Sequence, residues 1–347
     1  MQIEFAKRIR PAPVSGGFAM DGYWVWCGSP IRADDGRYHL FASRWPHALA
    51  FHPHWITNSE VVRAGADRAE GPYRFEEVVL PARDREWWDG LMTHNPTIHR
   101  APDGTYLLYY TGTTYDFDVP TPDAPITSAD FWKFGAARQR QRIGLATAPS
   151  LLGPWSRPDR PILEPREGKW DALMTTNAAP CVLDDGSVIL AYKSTASQQD
   201  LLRYGVARAP HYAGPYQRLR DDPIFDFGPT NHVEDACIWR EDGRFHLLMK
   251  DMTGAICGEQ YAGIHAISDD AIHWRLANVP KAYSREVIWT DGRVTRQGCV
   301  ERPQLLIQAG RPTHLFAATA DGPGGFIHAR RSWTLCIPLS DPRQSAS

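Results

Sequence analysis

Apolar and polar positions alternate in short runs along most of the chain, and charged or glycine-containing turns punctuate the runs. The same pattern returns five times: an apolar run, an Asp/Gly-type turn, then an aromatic-rich run. The copies are SPIRADDGRYHLFASRW (29–45), PTIHRAPDGTYLLYYTG (96–112), APCVLDDGSVILAYKS (179–194), ACIWREDGRFHLLMKD (236–251) and PQLLIQAGRPTHLFAAT (303–319). Asp-Gly between two alternating runs predicts a β-hairpin. Downstream of these hairpins a small-residue strand runs into a Gly-Pro-aromatic turn: RIGLATAPSLLGPW (142–155), RYGVARAPHYAGPY (203–216) and, more loosely, VVRAGADRAEGPY (61–73). GIHAISDDAIHW (263–274) is a fourth version with Ile-His-Trp at the turn. Glycine tolerates the reversed φ there and proline fixes its own.

Five units of about four short strands, none able to bury both faces alone, must stack on one another. The expected fold is all-β: a five-bladed β-propeller with four-stranded blades around a central pocket. The blades are placed at 23–80, 90–160, 172–222, 232–280 and 298–340, in a single domain over 1–347. The Gly-Pro turn is expected to join strands three and four of a blade. Alternating strand direction puts the starts of the innermost strands and the strand two–three loops on one face. That face also carries the long segments 44–60 and 112–141, with at most a short helix near 128–141. Long aromatic loops on a rigid scaffold commonly carry function, and Tyr115, Phe117 and Trp132 are expected to border a pocket. An oligomer contact is the other use of such loops, so a homo-oligomer is allowed.

Composition narrows the partners. Apolar residues make up 43% of the 347, and the net charge is −2, which gives no sign of a nucleic-acid or membrane partner. The N-terminus lacks the apolar stretch of a signal peptide, and the six cysteines form no CxxC pair. Cys27, Cys181, Cys237 and Cys299 sit in or beside strand-like runs, which fits a reducing, cytoplasmic setting.

The candidate chemistry lies just ahead of the innermost strands: DGYWVWCGSP (21–30), WWDGLMTHNPT (87–97), KWDALMTTNAAP (169–180), NHVEDACIW (231–239) and GCVERPQLL (298–306). Asp89 matches Asp171, and Asn95 matches Asn177. Glu234, Asp235 and Glu301 stand at strand entry. Carboxylates converging on an axis are costly unless paired or used, and glycoside hydrolysis uses two, one protonated and one ionised. The catalytic candidates are Glu234 and Glu301 with Asp89 or Asp171 opposite, and Asp235 as the alternative to Glu234. Substrate-binding candidates are Trp24, Trp26, Trp45, His94, Asn95, Asn177 and His232, together with Arg44, Lys193, Lys250 and Arg302. The four basic residues allow an anionic sugar. His52 and His54 have no metal-type spacing, and no metal site, Gly-rich phosphate loop, serine elbow or dinucleotide fingerprint is evident.

In these residues the chain resembles the five-bladed propellers of glycoside hydrolase family 43 and the related families 32, 62, 68, 117 and 130. VERPQLL and VEDACIW look like their Glu-x-Pro-x-Leu strand entries, and THNPTIHRAPDGTYLLYYTG looks like their Asn/Asp-Pro-x-Ile and Tyr-x-Leu-Tyr-Tyr pattern. The resemblance covers roughly residues 20 to 338. It implies an exo-acting hydrolase on an oligosaccharide, with no required cofactor and a structural calcium ion in the central channel of some relatives. A phosphorylase on the same fold and a non-catalytic sugar- or protein-binding propeller are the alternatives. Those hydrolases carry a catalytic Asp at the first blade's entry, where this chain has CGSP, and the second blade has Asn95 in place of Asp.

Overall fold

The computed structural model describes residues 4–322 and 324–341. It is a five-bladed β-propeller in which every strand pair within a blade is antiparallel. Blades one, three and four are four-stranded sheets, each running in chain order from the axis outward. Their innermost strands are Tyr23–Arg32, Thr176–Val182 and Val233–Glu241. Blade two is built on Met92–Arg100, and its fourth position is reduced to the Thr147–Ser156 bridge. Blade five is built on Cys299–Gln308, with Ser332–Pro338 as its third strand. The start of the chain completes that blade: Phe18 bridges Thr334 and Ile9 bridges Leu339. Arg8 locks this closure. It is buried, pairs with Glu241 at 3.2 Å and donates to the Pro312 and Ser340 carbonyls. The sequence pattern confined blade five to 298–340; the closing segment carries no copy of the repeat and is invisible to it.

The repeated turns fall where the pattern puts them. Asp35-Gly36, Asp103-Gly104, Asp185-Gly186 and Asp242-Gly243 close the first hairpins of blades one to four, and Gly71, Gly153 and Gly214 join strands three and four of blades one to three. The last three hold φ of 89, 85 and 94°, which a side chain would strain.

The small third strands have a packing reason. In blade three, Tyr192 lies across Gly205, where a Cβ would come within 2.4 Å of its ring, and Trp170 stacks on Tyr192 at 5.9 Å. Blade two repeats this with Tyr110 over Gly144 and Trp88 on Tyr110. Each tyrosine hydroxyl donates to the aspartate that follows the tryptophan, Tyr192 to Asp171 at 2.9 Å and Tyr110 to Asp89 at 2.6 Å. Both aspartates are fully buried, and two arginines hold each: Arg83 and Arg157 on Asp89, Arg166 and Arg218 on Asp171. Arg157 and Arg218 follow the Gly-Pro-aromatic turn by two residues. The repeated text is therefore one structural module, Trp-Asp, Tyr, Gly and Arg, that pins the outer strands to the link between blades.

Two helices lie in the long loops, Phe51–Asn58 (α1) and Trp132–Arg138 (α2), the second within the expected stretch and the first unforeseen. They pack on each other through Trp55 and Phe134, with ring centroids 5.9 Å apart. His54 fastens the two loops: its Nδ1 meets the Ala50 carbonyl, and the Ile126 amide donates to Nε2 at 3.0 Å.

Candidate active site

Each innermost strand carries a β-bulge near its start, between Trp26 and Ser29, His94 and Thr97, Thr176 and Ala179, Glu234 and Cys237, and Glu301 and Gln304. The first bulged residue adopts a left-handed backbone in all five: Cys27 (φ 65°), Asn95 (53°), Asn177 (51°), Asp235 (60°) and Arg302 (53°). Strain of this kind collects at functional sites. The bulge turns these five side chains toward one another across the axis. Cys27 donates to Asn95 Oδ1 at 2.7 Å, Asn95 to Asn177 Oδ1 at 2.7 Å, and Asn177 to Asp235 Oδ1 at 3.3 Å. Arg302 Nη1 stands 3.8 Å from Asp235 Oδ1, and the Cys27 thiol lies beside Arg302, which closes the circle. Asn95, Asn177 and Arg302 thus form the floor of the channel.

One residue earlier on each strand are Trp26, His94, Thr176, Glu234 and Glu301, a tier above this floor. Their second-strand partners include Ser43 opposite Trp26, Lys193 opposite Thr176 and Lys250 opposite Glu234. Arg44 is one residue out of that set, opposite Val25, so it points the other way. It pairs with Glu60 at 2.8 Å and lies over the Tyr23 and Phe75 rings, which removes it from the site.

Lys250 is the hub of the acidic side. Its side chain is 2% exposed, and its Nζ touches Glu301 Oε2 at 2.8 Å, Glu234 Oε2 at 2.9 Å and Asp235 Oδ2 at 3.1 Å. Lys193 takes the other Glu234 oxygen at 2.6 Å. Burial works to raise the Glu234 carboxyl, but Lys193 and Lys250 outweigh it and hold it well below the usual carboxylate range. Burial raises Glu301, Lys250 pulls it back, the Asp235 and Glu234 charges push it up, and the result is about 7. One acid is kept ionised and its neighbour keeps a proton near neutral pH.

His94 sits across from them, its Nδ1 2.7 Å from Ser59 Oγ, and burial, with Arg302 and Lys193, keeps its pKa well below 6.5. His232, near Glu234, is also lowered, chiefly by burial. Trp24, Trp26 and Trp45 pack as a wedge beneath Phe51 of α1, with Trp45 wholly buried. Trp45 therefore offers no ring face to a ligand. Asp89 and Asp171, expected as bases across the channel, are corrected by the geometry above: each is sealed and committed to two arginines and a tyrosine. Among the residues expected to border a pocket, Tyr115 is fully buried with its hydroxyl on the Thr57 carbonyl, and Trp132 is 62% exposed. In α2, Arg138 lies within electrostatic reach of Glu234 and donates to Gln198 Oε1 at 2.7 Å. Arg138 and the half-buried Trp55, tilted against His94 at 5.3 Å, escaped the sequence reading because long loops have no repeat copies to align.

The residues present do not suit calcium. Among the described residues no cluster of three or more His, Cys, Asp or Glu could hold a metal, and an arginine occupies the channel floor.

No protein-family model matches the chain, and no curated protein is similar to it in sequence. Solved structures do match its fold. The family 117 glycoside hydrolase Zg3597 of the marine bacterium Zobellia galactanivorans aligns over 98% of this chain and 94% of its own, with a TM-score of 0.66 and 16% identity. BT0996, in a complex with RGII, aligns over 98% and 93%, with a TM-score of 0.67 and 14% identity. The α-L-arabinofuranosidase PaAbf62A of Podospora anserina, in complex with cellotriose, aligns over 98% and 99%, with a TM-score of 0.63 and 12% identity. A family 43 hydrolase is among the others, so the likeness spans several families.

Proposed function

We propose that the chain is a glycoside hydrolase acting on an oligosaccharide at the mouth of the central channel. The observation that carries this is the pair Glu234 and Glu301 on one ammonium, the first held ionised and the second raised to about 7. Glycoside hydrolysis needs such a division between two carboxyl groups. Glu301 is the proton donor to the leaving oxygen, and Glu234 is the ionised partner. Both meet the same Nζ, at 2.9 and 2.8 Å, so the two carboxyl groups face one site together. The structural neighbours that hold glycans support the substrate class.

The loops bearing α1 and α2 crowd one side of the mouth, which favours attack at a chain end. Arg138, with no carboxylate partner among the described residues, favours an acidic sugar there. Phosphorolysis is less well served, because Lys193 and Lys250 are already engaged by carboxylates.

The test is turnover of activated aryl glycosides and a panel of neutral and uronate-containing oligosaccharides by wild type, Glu234→Gln and Glu301→Gln. Each variant should lose about 10²-fold or more in kcat, the scale of general acid–base catalysis, while staying folded. NMR of the first product anomer reads whether configuration is retained or inverted. Folded variants with near-normal rates, or a wild type that turns over no glycan, would defeat the proposal.

A further inference from the structure

Arg302 occupies the centre of the ring at the channel floor and is 1% exposed, yet none of Nε, Nη1 and Nη2 has an oxygen or nitrogen acceptor within hydrogen-bond geometry, and the weakly accepting Cys27 thiol is its hydrogen-bonding neighbour. Two residues further along the same strand, Gln304 is 4% exposed and its Nε2 is also unpartnered. Beneath them a cavity of about 650 Å³ opens to the opposite face, with Ser29, Thr97 and Gln304 at its inner end. Buried donors without partners are rare and costly.

The local charge balance points the same way. Among the described residues the only carboxylate paired with Arg302 is Asp235, at 3.8 Å, and the other Asp235 oxygen is drawn to Lys250 at 3.1 Å. The Cys27 thiol next to the guanidinium cannot supply the missing charge, because burial pushes it up to about 12. Tyr204, also near, is likewise held protonated by burial. The unpartnered atoms of Arg302 and Gln304 are all N–H groups, which a single anion can satisfy together.

We propose that the channel floor binds a small inorganic anion of the halide class, held by the Arg302 guanidinium and the Gln304 amide and admitted through the cavity beneath. The anion supplies the negative charge that a carboxylate at position 27 would give, and it does so independently of any reaction at the mouth.

Bromide is the probe. Crystals of the full chain grown in sodium bromide should show one anomalous peak on the axis, in contact with the Arg302 guanidinium. In solution, the wild-type melting temperature should rise with chloride at constant ionic strength, set by gluconate, as mass action requires. Cys27→Asp, which places a carboxylate beside Arg302 in a backbone conformation aspartate tolerates, should lose both the peak and the chloride dependence. A water alone at Arg302, or bromide confined to the outer surface, overturns the proposal without need of the variant. So does a folded Cys27→Asp protein that keeps the axial bromide.

Discussion

Glu301→Gln should separate stability from activity, and pH should set the size of the difference. Glu301 rises from 4.5 in a free chain to about 7 in the fold. That corresponds to about 3 kcal/mol between its two protonation states. The folded protein keeps a proton that the unfolded chain releases, so this carboxyl costs nothing below pH 4.5. Its stabilising proton is lost as pH rises toward 7, and above 7 the fold bears the full cost of a third carboxylate on Lys250. Glutamine is neutral throughout and mimics the protonated acid. The variant should match wild type near pH 4.5 and exceed it by about 3 kcal/mol at pH 8, or ~3–6 °C in Tm. Other groups titrating in this window cancel in the comparison. The assay is a melting curve for both proteins at half-unit steps of pH, with aryl glycoside turnover alongside. The wild-type rate should fall above pH 7 as the proton donor ionises, and the variant should show no such limb. Equal Tm differences at pH 4.5 and 8, or a wild type more stable at pH 8, would refute the reasoning.

Asp89→Asn and Asp171→Asn should each cost roughly 3–5 kcal/mol, because each leaves two arginines facing a neutral amide in a buried site. Urea unfolding reads that loss, and kcat of the folded fraction should stay close to wild type. Gly205→Ala puts a Cβ 2.4 Å from the Tyr192 ring and should cost about 1–3 kcal/mol by overpacking, measured by calorimetry. Arg8→Met strips the buried Glu241 of its Arg8 partner, though Arg311 remains at 3.2 Å, and should lower Tm through the closure of blade five while leaving the aryl glycoside KM unchanged.

The fold was legible because its determinants are local and repeated. Asp-Gly hairpins and Gly-Pro turns announce themselves within a few residues, and five copies make a blade count. What the pattern could not show is long-range: the chain start completing blade five, α1 folding inside 44–60, and Arg138 coming within electrostatic reach of Glu234. Arg44 was misplaced by one residue: Ser43, not Arg44, stands opposite Trp26 as Lys193 and Lys250 stand opposite Thr176 and Glu234, and a one-residue slip sends a side chain to the other face.

Asp89 and Asp171 show how a repeat should be weighed. They drew attention because they match, and matching is what an architectural module requires: the same Trp, Tyr, Gly and Arg surround each. A reaction, by contrast, makes different demands on each blade. Its groups should occupy one structural position and differ there from copy to copy. The bulge position reads Cys27, Asn95, Asn177, Asp235 and Arg302, and the tier above reads Trp26, His94, Thr176, Glu234 and Glu301. No two neighbours in that upper tier are alike except the two glutamates, which share Lys250, while Lys193 on Glu234 alone helps hold their protonation states apart. In a propeller, agreement among blades marks what holds the ring together, and disagreement at the axis marks where its chemistry is set.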